Sequence, residues 1–123
     1  MKEITKVVVD AMGGDNAPHE IIKGAVEAVG KSDAIHVILV GKEDVINQEL
    51  SGYTYNKEQI SVVHTSEVIE TAEPPVMAIR RKKDSSIVVG LKMVKDKEAD
   101  AFVSAGSSGA VLAGGQLLVC LLY

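Results

Sequence analysis

Apolar residues along this chain fall into short continuous runs, separated by stretches in which they recur every three or four positions. The short runs are Val7-Val8-Val9, β-branched throughout, and the mostly apolar Ile35 to Val40, Ile60 to His64 and Ala101 to Val103. Runs of that kind read as strands covered on both faces. Between them the period lengthens. Ile22, Val26 and Val29 form one stripe, Val45, Ile46 and Leu50 a second, and Ile87, Leu91 and Val94 a third, each on one side of a helix. Strands alternating with helices predict an α/β fold: a mostly parallel sheet with helices on both faces, three layers in all.

Punctuation residues refine the boundaries. Asn16 is placed to cap the first helix, with Pro18 in its first turn, Glu20 at the positive end of its dipole and Gly30 as its stop. Gly41 ends the second strand, Gly52 to Lys57 is turn-like, and Thr65 to Pro75 is a long polar loop of the kind that borders sites. A short helix from Val76 carries Arg80-Arg81-Lys82-Lys83, after which Asp84 or Ser85 caps the next helix.

Two glycine-bearing loops stand at strand ends. Asp10 to Pro18 contains Gly13, Gly14, Asp15 and Asn16; Ser104 to Ala110 contains Ser104, Gly106, Ser107, Ser108 and Gly109. Each follows a strand and precedes a helix, so each can present unpaired backbone N–H groups, and in an open parallel sheet both fall on the edge where ligands sit. Glycine lets an anion approach the main chain closely, and serine hydroxyls can replace water around phosphate or an oxyanion. The plainer reading of each loop is a tight turn with a helix cap. Asp10 and Asp15 would repel an anion, so loop-holding and capping suit them better than metal binding.

Composition narrows the options. The 123 residues, 46% of them hydrophobic, suffice for one domain that buries about two thirds of its unfolded surface. A net charge of -4 argues against nucleic-acid binding and makes any anion site local. The one dense basic cluster, Arg80 to Lys83, is either a solvated helix face or a contact for an acidic partner or phosphate. On a helix Arg80 and Lys83 would share a side, with Arg81 and Lys82 pointing elsewhere. The histidines lack metal-ligand spacing, and only His19 lies beside a glycine loop. Cys120 reads as a small core residue unable to make an internal disulfide, and no secretory signal opens the chain, so the expected compartment is the cytoplasm. Ala101 to Tyr123 is free of charge, yet its apolar part from Val111 is too short to span a bilayer and reads as a buried helix. P-loop, dinucleotide-binding and nucleophile-elbow signatures are absent.

Val9-Asp10-Ala11-Met12-Gly13-Gly14-Asp15 with Pro18 resembles the opening signature of the bacterial phosphate acyltransferases of phospholipid synthesis, the PlsX family. Glu73-Pro74, Arg80, Lys82 to Ser86 and Ala99 to Gly106 resemble the family's second block. The resemblance implies an isocitrate/isopropylmalate dehydrogenase-like architecture, present in part, and an enzyme that converts long-chain acyl-acyl carrier protein and inorganic phosphate into acyl phosphate. It implies a cytosolic homodimer loosely associated with the membrane; no cofactor and no metal site are expected from the residues. The phosphate-binding residues would be Gly13, Gly14, Asp15, Asn16, Ser104, Gly106, Ser107 and Gly109, with Arg80 and Lys83 as contacts for the acidic carrier protein or phosphate. The family usually has Asn or Ser followed by Thr where Ser107-Ser108 stands here, and its chains are more than twice as long. Residues 1–123 are therefore expected to be the N-terminal part of a single acyltransferase domain. A short-chain phosphotransacetylase and a non-catalytic binding module stay open beside the acyltransferase.

Overall fold

β1 (Thr5–Asp10) pairs in parallel with β2 (Ile35–Gly41) on one side and β4 (Ala101–Val103) on the other. β3 (Ile60–His64) pairs in parallel with the outer side of β2, giving the order β3-β2-β1-β4. The structure is a computed structural model describing residues 3–120. Parallel pairing forces each connection to cross back over the sheet. The crossovers are α1 (His19–Lys31), α2 (Glu43–Leu50), α3 (Pro75–Arg81) and α4 (Ser86–Lys95); α5 (Ser108–Gly114) follows β4 and runs on into a π-helical turn, Gly115–Val119.

Alternation along β2 assigns the faces. Val37 and Leu39 join Ile22, Ala25 and Val29 of α1 and Ile46 and Leu50 of α2 in one cluster. Ile38 and Val40 turn the other way, with Val8, against Met93 and Val94 of α4. A third cluster joins Ile79 of α3, Ile87 and Leu91 of α4, Ala110 of α5 and Ile69 of the long loop. Helices thus cover both faces, as the periodicity predicts. Each fully buried aliphatic side chain contributes about 1.5–3 kcal/mol, so these clusters fix the frame from which the loops project.

Several local expectations are corrected. The side chain of Asn16 does not cap α1: Pro18 occupies that position, and Asn16 offers its carbonyl to the Glu20 N–H at 3.0 Å. Gly30 does not stop the helix, because the Ser32 N–H still bonds to the Ala28 carbonyl at 3.2 Å. α3 ends at Arg81, so Lys82 and Lys83 lie beyond it. Of the two candidate caps for α4, Ser85 serves, accepting from the Val88 N–H at 3.2 Å. Cys120 is exposed rather than packed, since the helical chain ends at Val119. Leu112 and Leu117 are also exposed, so the last helix is only partly buried; residues 121–123 lie outside the described residues. Among the described residues no helix is long and apolar enough to cross a membrane.

Candidate functional site

Val9 of β1 pairs with Val103 of β4, so the two strands end side by side. The chain leaving each one starts from the same point of the sheet's C-terminal edge, and both glycine loops grow from there. Asp10, the last residue of β1, is 1% exposed. Its carboxylate accepts from the Ser86 hydroxyl at 2.6 Å, the Ser104 hydroxyl at 2.8 Å and the Met12 N–H at 3.0 Å. A buried carboxylate is tolerated only when donors replace its water, and here they come from the start of α4, the second loop and the first loop. Asp10 therefore holds loops, as its sequence context suggests.

Above Asp10 the two main chains touch. A Cβ added to Gly13 would overlap Oδ2 of Asp10 and stand 2.9 Å from both N and Cα of Gly106. Gly14 has φ +106°, a conformation that side chains resist, and faces Ala105. The glycines that suggested close approach of an anion thus also allow close approach of one loop to the other. The N–H groups of Gly13, Gly14 and Asp15, and those of Ala105, Ser108 and Gly109, form no hydrogen bond to another described residue. Asp15 and Asn16 are exposed at the rim.

The serines divide by role. Ser104 gives its proton to Asp10 while its oxygen accepts from the Gly106 N–H at 3.0 Å, which commits it to shaping the loop. Ser107 is buried and caps α5, accepting from the Ala110 N–H at 3.1 Å. Gly109 packs against Pro75 at the start of α3, where a Cβ would stand 2.7 Å from the proline ring. Beside the loops an apolar slot of about 460 Å³ runs between α1 and the β1–β4 edge, lined by Val7, Val9, Ala25, Ala28 and Val103, with Asp10 and Ser104 among its lining.

The long loop from Thr65 to Pro75 reaches this region through Ser86, whose N–H donates to the Glu67 carbonyl at 3.3 Å. Both the N–H and the hydroxyl of Ser66 donate to Asp84, at 2.9 and 2.6 Å, and Lys82 donates to the Val68 carbonyl and Glu73 at 2.7 and 2.8 Å. The Lys82 ammonium, then the Glu70 N–H, holds the Glu73 carboxyl below its usual range; the Ser66 hydroxyl and N–H do the same for Asp84. A depressed carboxylate stabilises above its unfolded pKa, near 4, and its contribution is lost as pH falls through the lower folded value. The amides of Ser66 and Glu70 should therefore be protected from hydrogen exchange at pH 6 and lose protection below about pH 4. Exchange of both amides at pH 6 as fast as in an unstructured chain would contradict this anchoring.

Arg80 and Lys83 line one groove together although Lys83 lies outside the helix, while Lys82 turns inward. The histidines all serve the frame. His19 pairs with Glu49 across α1 and α2 at 3.1 Å, His36 bonds to Ser61 across β2 and β3 at 2.6 Å, and His64 accepts from the Glu43 N–H at the start of α2 at 3.1 Å. Sequence reasoning missed Ser86 as a partner of Asp10, and no spacing rule links positions so far apart.

A parallel sheet with helices on both faces, whose two glycine loops meet at its C-terminal edge, places the chain in the open-sheet α/β class. The chain belongs to the family described as fatty acid synthesis protein, whose model matches residues 5–122. It is 55% identical over 93% of its length to the phosphate acyltransferase of Clostridium novyi (strain NT), and 59% identical over 93% to that of Alkaliphilus oremlandii (strain OhILAs). With the phosphate acyltransferase of Syntrophomonas wolfei subsp. wolfei it shares 52% identity over 88% of its length. The matched part is 34% of each of these relatives, so the chain spans about a third of their length. The resemblance to phosphate acyltransferases is thereby borne out.

Proposed function

We propose that this chain carries the phosphate cradle of a phosphate acyltransferase that makes acyl phosphate from long-chain acyl-acyl carrier protein and inorganic phosphate. The observation that carries the reading is the meeting of the two glycine loops over Asp10, with the N–H groups of Gly13, Gly14, Asp15, Ala105, Ser108 and Gly109 among those left unpaired by the described residues. In the reaction a phosphate oxygen attacks the thioester carbonyl, the C–S bond breaks, and the sulfur leaves as thiolate. The N–H groups of Gly13, Gly14 and Asp15 hold the dianion, and those of Ala105, Ser108 and Gly109 meet negative charge on phosphate or on the carbonyl oxygen. The Ser107 hydroxyl accepts from Ala110 and keeps its own proton for the same anion. Asp10 and Ser104 act from beneath, by fixing the loops.

The test is an acyl phosphate assay on the protein containing this chain, with long-chain acyl-acyl carrier protein and acetyl-CoA offered as alternative donors. Product from the carrier protein alone supports the proposal. Preference for acetyl-CoA would replace it with a short-chain phosphotransacetylase, and phosphate binding without turnover from either donor would leave a binding module. Gly14→Ala is expected to slow product formation about tenfold, since a side chain at this backbone angle carries roughly 1–3 kcal/mol of strain.

A further inference from the structure

Val76 and Met77 of α3 and Leu112 and Leu117 of the last helical segment are large apolar side chains left exposed, Leu112 to 70%. Val76, Leu112 and Leu117 line a groove of about 470 Å³ between α3 and α5, with Arg80 on its wall. Arg80 and Leu117 also border a second groove of about 470 Å³, built on Ile79 and Val88 and carrying Lys83 and Lys92. No aspartate or glutamate lines either one. Arg80, Lys83 and Lys92 make no ion pair or side-chain hydrogen bond with another described residue, whereas neighbouring Lys82 is spent on Glu73 and Val68. On a chain of net charge -4, three free cations around an apolar trough run against the overall sign.

We propose that this double groove docks one amphipathic helix of an acidic partner protein. Its apolar side chains seat between α3 and α5, and its carboxylates meet Arg80, Lys83 and Lys92. An exposed apolar patch rimmed by charge marks an interaction site, and a groove between two helices takes a third by its apolar face. The concave, divided shape suits a helix of about 10 Å diameter better than a flat lipid surface, on which three cations would bring only about 3 kcal/mol. Arg80, shared by both halves, has the position and chemistry of an interface hot spot. Gly109 lies in the wall of the first half and in the second glycine loop, so a docked partner sits at the entrance to the cradle. This inference rests on the proposed function, in which the acyl group arrives on an acidic carrier protein.

The experiment titrates the chain with fluorescently labelled holo-acyl carrier protein, and separately with phosphatidylglycerol vesicles and with inorganic phosphate. The docking proposal expects saturable binding of the carrier protein that weakens about tenfold in Arg80→Glu/Lys83→Glu and about threefold in Arg80→Gln/Lys83→Gln. Unfolding midpoints of both variants separate lost docking from lost folding. Carrier-protein affinity unchanged in both variants overturns the docking site, as does partition onto vesicles with no carrier-protein binding. Failure of the wild-type chain to bind inorganic phosphate overturns the cradle instead, whatever the grooves do.

Discussion

Gly13→Val is expected to lower the unfolding free energy by about 3 kcal/mol, the upper end for overpacking a closed site, and to abolish phosphate binding. The atoms that a Cβ would strike are Oδ2 of Asp10 and the backbone N and Cα of Gly106, the latter both at 2.9 Å. None is the free end of a flexible side chain. Asp10 is held by three hydrogen bonds, and Gly106 is held through Ser104 to the same carboxylate. Relief must therefore come from parting the two loops, which dismantles the cradle as it removes the clash. Gly24→Ala supplies the contrast, because a Cβ there meets nothing within 4 Å. Inside α1 that change should stabilise by about 0.5–1 kcal/mol. Urea unfolding of the three proteins checks both signs, and a wild-type midpoint for Gly13→Val would show that the loops do not close as described.

Asp10→Ala should cost about 3–4 kcal/mol. It leaves the buried Ser86 hydroxyl and the part-buried Ser104 hydroxyl and Met12 N–H without an acceptor, each worth up to roughly 1–3 kcal/mol when orphaned and not fully additive. Asp10→Asn keeps one oxygen, and its amide can donate to a serine that turns round, so about half the loss is expected. Amide exchange adds a reading specific to this arrangement: Met12 and Gly106, in different loops, should lose protection together. Independent loss at the two positions, or a change under about 1 kcal/mol in both variants, would mean that the loops stand without their common carboxylate.

The strand-and-helix order of this fold was readable because its strands are short, mostly apolar runs and α1, α2 and α4 carry apolar stripes at helical spacing. The meeting of the loops was readable too, since parallel strands send every strand end to one edge. The capping partners were harder. Asn16 has the chemistry of a cap, yet the backbone from Gly14 to Pro18 forms turns of its own, in which the Ala17 N–H bonds to the Gly14 carbonyl at 3.3 Å. Arg80 to Lys83 looked like one helical run, but a tight turn intervenes in which the Ser85 N–H bonds to the Lys82 carbonyl at 3.1 Å. That turn sends Lys82 inward to Glu73 and leaves Lys83 on the groove. Composition marked the last helix as apolar without saying which side would stay uncovered. Ser86 was out of reach, because only tertiary structure brings it to Asp10.

The carboxylate that ties the loops closes contacts of long sequence separation: Asp10 meets Ser86 across 76 positions and Ser104 across 94. Chain closure of that kind is slow and entropically opposed, and the strand that completes it, β4, has only three residues. An anion held between the loops would bind the finished sheet and nothing earlier on the folding route. At a hundred times its dissociation constant such a ligand adds about 2.7 kcal/mol to stability. The cradle would then do two jobs, since the phosphate awaiting reaction would also fasten the newest strand to the oldest.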